Sequence, residues 1–205
     1  MTDFLNAIEL FKDVPANEVE HLMTCSRDHD YKGRHLLYLP GDPLEHVFLV
    51  HSGEVTLYYL HDGKRIIVDV MGEGDVFGNF SAELSTTVHF AEAAPETRLC
   101  QIKSTDFLGL IQRYPLTLVR TITLLSKRLL EYEHKLSLCP APAKEKILYE
   151  IERYAKREAT SAAHLTHQKL AQMTGLNRVT VTRGIQDLVS EGKIEVTEGG
   201  MRLLG

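Results

Sequence analysis

The 205-residue sequence predicts an α+β fold: an antiparallel β-roll, then a long amphipathic helix, then a small helical module closed by a hairpin. Three observations carry that prediction. Turn formers recur at near-regular intervals from Tyr31 to Ile102, a heptad of apolar residues runs from Leu118 to Leu136, and beyond two prolines short helical patterns flank a glycine turn.

Composition narrows the function classes. With 43% hydrophobic residues the chain can bury one substantial core, or a larger and a smaller one. No apolar run reaches the ~18 residues of a membrane span, and Met1 to Phe11 lacks the charged-then-apolar layout of a signal peptide. A cytoplasmic protein without membrane contact is expected. Cys25, Cys100 and Cys139 are far apart and odd in number, which argues for reduced, buried thiols rather than a disulfide framework. The net charge of -5 is uneven: residues 141–205 hold ten Lys/Arg against eight Asp/Glu, a net of +2, leaving -7 for the first 140. Only the terminal part is suited to a polyanion.

The roll, assigned to residues 1–104, is read from its punctuation. Gly33, "PGDP" at 40–43, "SG" at 52–53, "DG" at 62–63 and "GEGD" at 72–75 separate runs such as "HVFLV", "EVTLYYL" and "RIIVDVM". Turns every ~8 to 12 residues between β-branched and aromatic runs mark short antiparallel strands. "HDGKR" reads as a hairpin tip, because Asp-Gly tolerates positive φ.

A helix over 105–137 follows. Leu118, Ile122, Leu125, Leu129, Tyr132 and Leu136 step by 4, 3, 4, 3 and 4, a seam narrower than the face of a helix lying on its own core. Those six residues are the expected homodimer interface. Pro140 and Pro142 in "LCPAPAKEK" lack amide donors and bias their predecessors away from α geometry, so 138–142 is read as a hinge.

Residues 143–205 read as helix, loop, helix, turn, helix and a short hairpin, a winged helix-turn-helix. Thr166 is the expected N-cap of "HQKLAQM", "TGLN" the tight turn, and Asn177 the N-cap of "RVTVTRGIQDLVSEG", whose Val181, Ile185 and Leu188 form a buried stripe. The strands around Glu198-Gly199-Gly200 make the wing. Arginine can offer paired donors to guanine, threonine and asparagine can reach phosphate or base edges, and valine can meet a thymine methyl. Double-stranded DNA is therefore the expected partner. Thr166, His167, Lys169, Asn177, Arg178, Val179, Thr180, Thr182 and Arg183 are its candidate contacts, with Lys169 at phosphate.

The order of a roll containing "GDVFGNF", a long helix, a proline hinge and a winged helix-turn-helix resembles the Crp/Fnr superfamily of bacterial transcription regulators. "HSGEVTLYYLHDGKRIIVDVMGEGDVFG" is similar to its cyclic-nucleotide-binding roll, and "LTHQKLAQMTGLNRVTVTRGIQDLVSEGKI" to its DNA reader. The resemblance implies a homodimer on a palindromic site, with RNA polymerase as a further partner. Arg178, Thr180, Val181 and Arg183 match the family's reading helix, whereas Val179 stands where glutamate is usual. It also implies an effector pocket around Gly78, Asn79, Phe80, Thr87, His89, Tyr132 and Glu133. There Asn79 replaces the family's ribose-binding glutamate, "STTVHFAEA" offers no arginine for a cyclic phosphate, and Tyr132 and Glu133 replace small hydroxyl residues. An effector other than cyclic AMP, or none, is expected.

Two alternatives remain. Haem with a diatomic gas could use His89, His134 or Cys100. A cupin-like metal enzyme would need clustered ligands on one strand face, yet His46 and His51, five apart, fall on opposite faces. With no nucleophile elbow or phosphate loop, no enzyme activity and no metal site is expected.

Overall fold

A computed structural model describes residues 8–81, 83, 85–157, 162–197 and 200–204. The chain divides into two compact units: residues up to 57 with 70–130, and 58–69 with 131 to the C-terminus.

A short 3-10 turn, Glu9–Phe11, and helix α1, Ala16–Cys25, precede ten strands, which belong to the first unit except for residues 58–69 of the fifth and sixth, which belong to the second. These are β1 (Arg27–Tyr31), β2 (His35–Tyr38), β3 (Pro43–Leu44), β4 (His46–Ser52), β5 (Val55–His61), β6 (Lys64–Met71), β7 (Val76–Gly78), β8 (Ser85–Thr86), β9 (Phe90–Ala93) and β10 (Thr97–Lys103). Two four-stranded sheets form, in the orders β1-β10-β4-β7 and β2-β9-β5-β6, with β3 paired to β8. Antiparallel register is set in the middle of the first sheet, where Val47, Phe48 and Leu49 face Ile102, Gln101 and Cys100.

Period-two alternation explains why β4 is apolar throughout. Val47 and Leu49 join Val76, Cys100, Ile102 and Phe107 in one core, while Phe48 and Val50 join Phe77, Leu99, Ala91 and Tyr38 in the other. Both faces of that sheet are covered. Phe48 and Phe77 stack at 5.0 Å inside the roll. The β5–β6 tip has the chemistry expected of it: Asp62 and Gly63 take φ of 50° and 71°, the positive pair that matches strand twist.

The segment read as one helix over 105–137 is two. Helix α2 spans Ser104–Arg113 and α3 spans Pro115–Ser137, with Tyr114 between them at φ -123° and ψ 82°. Pro115 supplies no amide and pushes its predecessor out of α geometry, a signal the reading overlooked. One face of α3 buries Thr117 and Thr121, and the Thr121 hydroxyl donates to the Thr117 carbonyl. The adjoining face leaves Leu118, Ile122, Leu125 and Leu136 exposed, with Leu129 at 58%.

The second unit contains the end of α3, helix α4 (Ala143–Arg157), β11 (Ala162–Ala163), α5 (His167–Thr174), α6 (Arg178–Ser190), β12 (Ile194–Thr197) and β13 (Gly200–Leu203). Its sheet order is β11-β13-β12. Ile147, Ile151, Leu165, Leu170, Met173, Val181, Ile185, Leu188, Ile194 and Met201 are among its buried apolar residues. The segment 138–142 lies inside this unit as a string of turns, with amide bonds from Leu138 to His134 and from Ala141 to Leu138. The wing strands pair from Ile194↔Leu203 to Thr197↔Gly200, while Glu198 and Gly199 lie outside the described residues.

Candidate functional site

The helix-turn-helix is built by its caps. Thr166 Oγ1 accepts the Lys169 amide at 3.1 Å and starts α5. Gly175, at φ 70°, takes the left-handed conformation that ends it. Asn177, two residues past the glycine, then accepts the Thr180 amide on Oδ1 at 2.8 Å and starts α6. Val181, Ile185 and Leu188 turn inward, and Gly184 allows α4 to come close, since a Cβ there would lie 2.5 Å from the Ile147 Cδ1.

The opposite edge of α6 is open. Arg178, Arg183 and Gln186 are exposed, and Val179 is 61% exposed. The two threonines are less free than the sequence suggests. Thr180 gives its hydroxyl to Asn177 Oδ1 at 2.9 Å, so it reinforces the cap. Thr182 donates to the Arg178 carbonyl at 2.9 Å and lies 2.9 Å from His167 Nδ1, which ties α5 to α6. If the Thr182 proton is committed to that carbonyl, His167 donates from Nδ1. Lys169 sits half-buried, with Nζ donating to the Tyr154 hydroxyl at 3.2 Å and lying 4.8 Å from that ring's centre. A cleft of about 670 Å³ separates the β5–β6 tip from α5 and the start of α6, with Lys64, Arg65, Gln172, Asn177 and Arg178 among its walls.

The candidate sensor residues are tied up in the roll. Asn79 is buried; its amide donates to the Leu44 and Glu83 carbonyls at 2.8 and 3.1 Å, and its Oδ1 accepts the Ser81 amide. Buried Thr87 donates its hydroxyl to the Leu39 carbonyl. His89 Nε2 meets the Tyr38 hydroxyl at 3.0 Å, and burial holds the imidazole below its usual pKa. Gly78, at φ 113°, has no room for a side chain, because a Cβ would lie 2.3 Å from the His46 carbonyl oxygen. Phe80 packs edge-on against Phe107 at 5.7 Å. Tyr132 and Glu133 belong to the second unit, where the Tyr132 hydroxyl donates to Asp69 Oδ2 at 3.1 Å and Glu133 is exposed.

Arg128 was missed in the sequence. Its Nη1 donates to the Val76 carbonyl at 3.0 Å and its Nη2 lies 3.6 Å from Met71 Sδ. One arginine on a long helix carries no sequence mark of a place in the roll's wall. Of the haem candidates, Cys100 is buried with its thiol pushed up to about 11 by desolvation, and His134 packs edge-on against Tyr149 at 4.8 Å. His46 and His51 both lie on β4. Among the described residues no group of three His, Cys, Asp or Glu could hold a metal ion, and no helix is long and apolar enough to cross a membrane.

A second feature went unread: a cluster of buried charges in the second unit. Asp69 and Glu150 are 3% and 2% exposed. Arg153 reaches both, at 3.0 Å to Asp69 Oδ1 and 3.2 Å to Glu150 Oε2, and Lys135 Nζ lies 2.9 Å from Glu150 Oε1. Burial works against the Arg153 charge, but the two carboxylates outweigh it and hold its pKa above the ordinary value. A signal existed in "RIIVDVM", where one carboxylate stands inside an apolar strand and so calls for a partner.

Comparison with known proteins accounts for both halves of the chain. The cyclic nucleotide-binding domain family model matches residues 28–114, and the Crp-like helix-turn-helix domain family model matches residues 146–204. A global nitrogen regulator of Synechococcus elongatus is 30% identical over 166 residues, which is 74% of each protein. The cyclic AMP receptor protein of Thermus thermophilus is 28% identical over 196 residues, covering 93% of this chain and 89% of that protein. The solved structure of FixK2 from Bradyrhizobium japonicum matches with a TM-score of 0.77 at 22% identity, over 88% of this chain and 93% of that one, a likeness of fold. These relatives are transcription regulators and not enzymes. A nucleotide-binding-type roll, followed by a capped helix pair with an exposed arginine-bearing edge and covered end to end by regulators, identifies the chain as a member of the Crp/Fnr superfamily of bacterial transcription regulators.

Proposed function

We propose that the chain works as a homodimeric, sequence-specific DNA-binding regulator on a palindromic site, governed by an effector other than cyclic AMP or by none, with RNA polymerase as its partner in transcription. The observation that carries the DNA reading is the open edge of α6, where Arg178, Val179 and Arg183 stand exposed on a helix capped by Asn177. Arg178 and Arg183 supply paired donors for guanine, and Val179 supplies an apolar contact for a thymine methyl in place of a carboxylate that would select cytosine. Thr166 and Asn177 act mainly through their caps, Thr180 and Thr182 through the reader's own hydrogen bonds, and His167 with them. Lys169 reaches phosphate only after leaving Tyr154.

Homodimer formation is supported by the exposed apolar seam of Leu118, Ile122, Leu125, Leu129 and Leu136, which nothing else among the described residues buries. Two recognition helices about 34 Å apart would then read successive turns of one duplex face.

The roll's residues fit a cyclic nucleotide poorly. Asn79 and Thr87 spend their polar groups on the roll's own carbonyls, and residues 79–93 contain no arginine to pair a cyclic phosphate. An unpaired phosphate would be costly to desolvate there. Calorimetry with cyclic AMP should show no tight binding; tight binding would remove the effector part of this reading. Incubating effector-free protein with random duplex DNA and sequencing the retained fraction tests the rest. Recovery of a palindrome with half-sites one turn apart is expected, and retention of unselected sequence both alone and after adding cell-extract small molecules would sink the reading.

A further inference from the structure

Within the second unit, three chain segments meet at the buried charges. Strand β6 contributes Asp69 together with the Ile67 and Val68 carbonyls, each 3.4 Å from Lys135 Nζ. The end of α3 contributes Tyr132 and Lys135, and the reader's first helix, α4, contributes Glu150 and Arg153. Two carboxylates and two cations balance in charge, so the group is satisfied as a whole and unbalanced by the loss of any member. The segment 138–142 between α3 and α4 is a string of turns in which Leu138, Cys139 and Ala141 bond back to carbonyls no more than four residues earlier, and Pro140 and Pro142 have no amide to give. Alongside the contacts of Tyr149 with the His134 ring and the Glu131 carbonyl, the charged cluster holds α4 against the end of α3.

We infer that Asp69, Lys135, Glu150 and Arg153 are positioning residues for DNA recognition: they lock the reader onto the end of the dimer helix and thereby set the separation of the two reading helices. The inference rests on the dimeric-regulator reading above. In the locked arrangement α6 keeps Val179 and Arg183 exposed, so the lock holds a reader that is free to engage. A rigid dimer pays little to bind both half-sites at once, but only at the matching separation; a loose one reaches several separations, each with a lower effective concentration.

The experiment measures binding of the full chain to three duplexes: the selected palindrome, the same palindrome with two base pairs inserted at its centre, and a single half-site. Wild type should prefer the native spacing by roughly 30-fold or more, as two-site engagement is lost when geometry forbids it. Asp69→Asn keeps the side chain's shape and removes its charge. It should weaken binding to the native palindrome about tenfold and cut the spacing preference below about threefold, while leaving single-half-site affinity unchanged. Lys135→Gln, which leaves the Arg153 pairs standing, should shift the preference the same way and serves if Asp69→Asn does not melt cooperatively. Folded variants that discriminate spacing as sharply as wild type would overturn the inference. A wild-type chain indifferent to spacing would instead overturn the dimeric-regulator reading, an outcome visible without any variant.

Discussion

Arg183 illustrates what a single residue can decide. It stands exposed on the outer edge of α6, one turn beyond Val179. Arg183→Ala should cost about 1 to 3 kcal/mol on the selected site and relax preference at one base pair. Fluorescence anisotropy on selected and random duplexes checks this, and equal losses on both would deny it a base-reading role. His89 makes a prediction about stability. Burial lowers its folded-state pKa, so the folded chain binds fewer protons than the unfolded one as pH falls below about 6.5. Stability supplied by the neutral ring is fully present above that value and is lost as pH drops through the lowered folded pKa. His89→Gln keeps a partner for the Tyr38 hydroxyl but cannot titrate, so its urea midpoint should fall less between neutral and mildly acidic pH than that of wild type. A constant gap between the two chains would assign the acid sensitivity elsewhere.

At the scale of elements, local chemistry wrote most of the boundaries. Thr166, Gly175 and Asn177 act through side-chain oxygens and backbone conformation within a few residues, and each stands where the spacing of turn and cap residues puts it. The Asp62-Gly63 tip is equally local. Helix α3 differs, because most of its apolar residues are exposed rather than buried by the chain itself. Five of the six seam residues are exposed, Tyr132 being half-buried with its hydroxyl on Asp69, and Leu116, Val119 and Leu130 are exposed elsewhere on the helix. Leu125→Asp would insert a carboxylate into the proposed seam, where an unpaired charge is costly to bury. Sedimentation should then report monomer at micromolar concentration, with the folded helical signal retained. A dimer that persists would mean that another surface joins the subunits. The break at Tyr114-Pro115 is equally local, since it follows from the missing amide of Pro115, and it lies before the heptad, which begins at Leu118.

Over the whole molecule, charge and function are divided. The region from Ala141 onward carries a net of +2 on a chain of -5, so DNA affinity must come from specific contacts rather than a basic field. If the dimer makes six to ten phosphate contacts, raising salt from 50 to 200 mM should lower affinity by about 10³- to 10⁵-fold. A nearly flat dependence in filter binding would point to few phosphate contacts. Sequence alone determined the succession of roll, helix and reader, the caps, the buried stripe of α6 and its exposed arginine edge. These follow from periodicities of two and 3.6 and from turn residues that act over short distances. Tertiary structure alone decided that Thr182 meets His167 and Lys169 meets Tyr154 within the reader, that Asn79 and Thr87 serve the roll, and that Asp69 meets Arg153 across 84 residues. A side chain's polar group bonds to whatever the fold brings within about 3 Å, and no spacing along the chain encodes that distance.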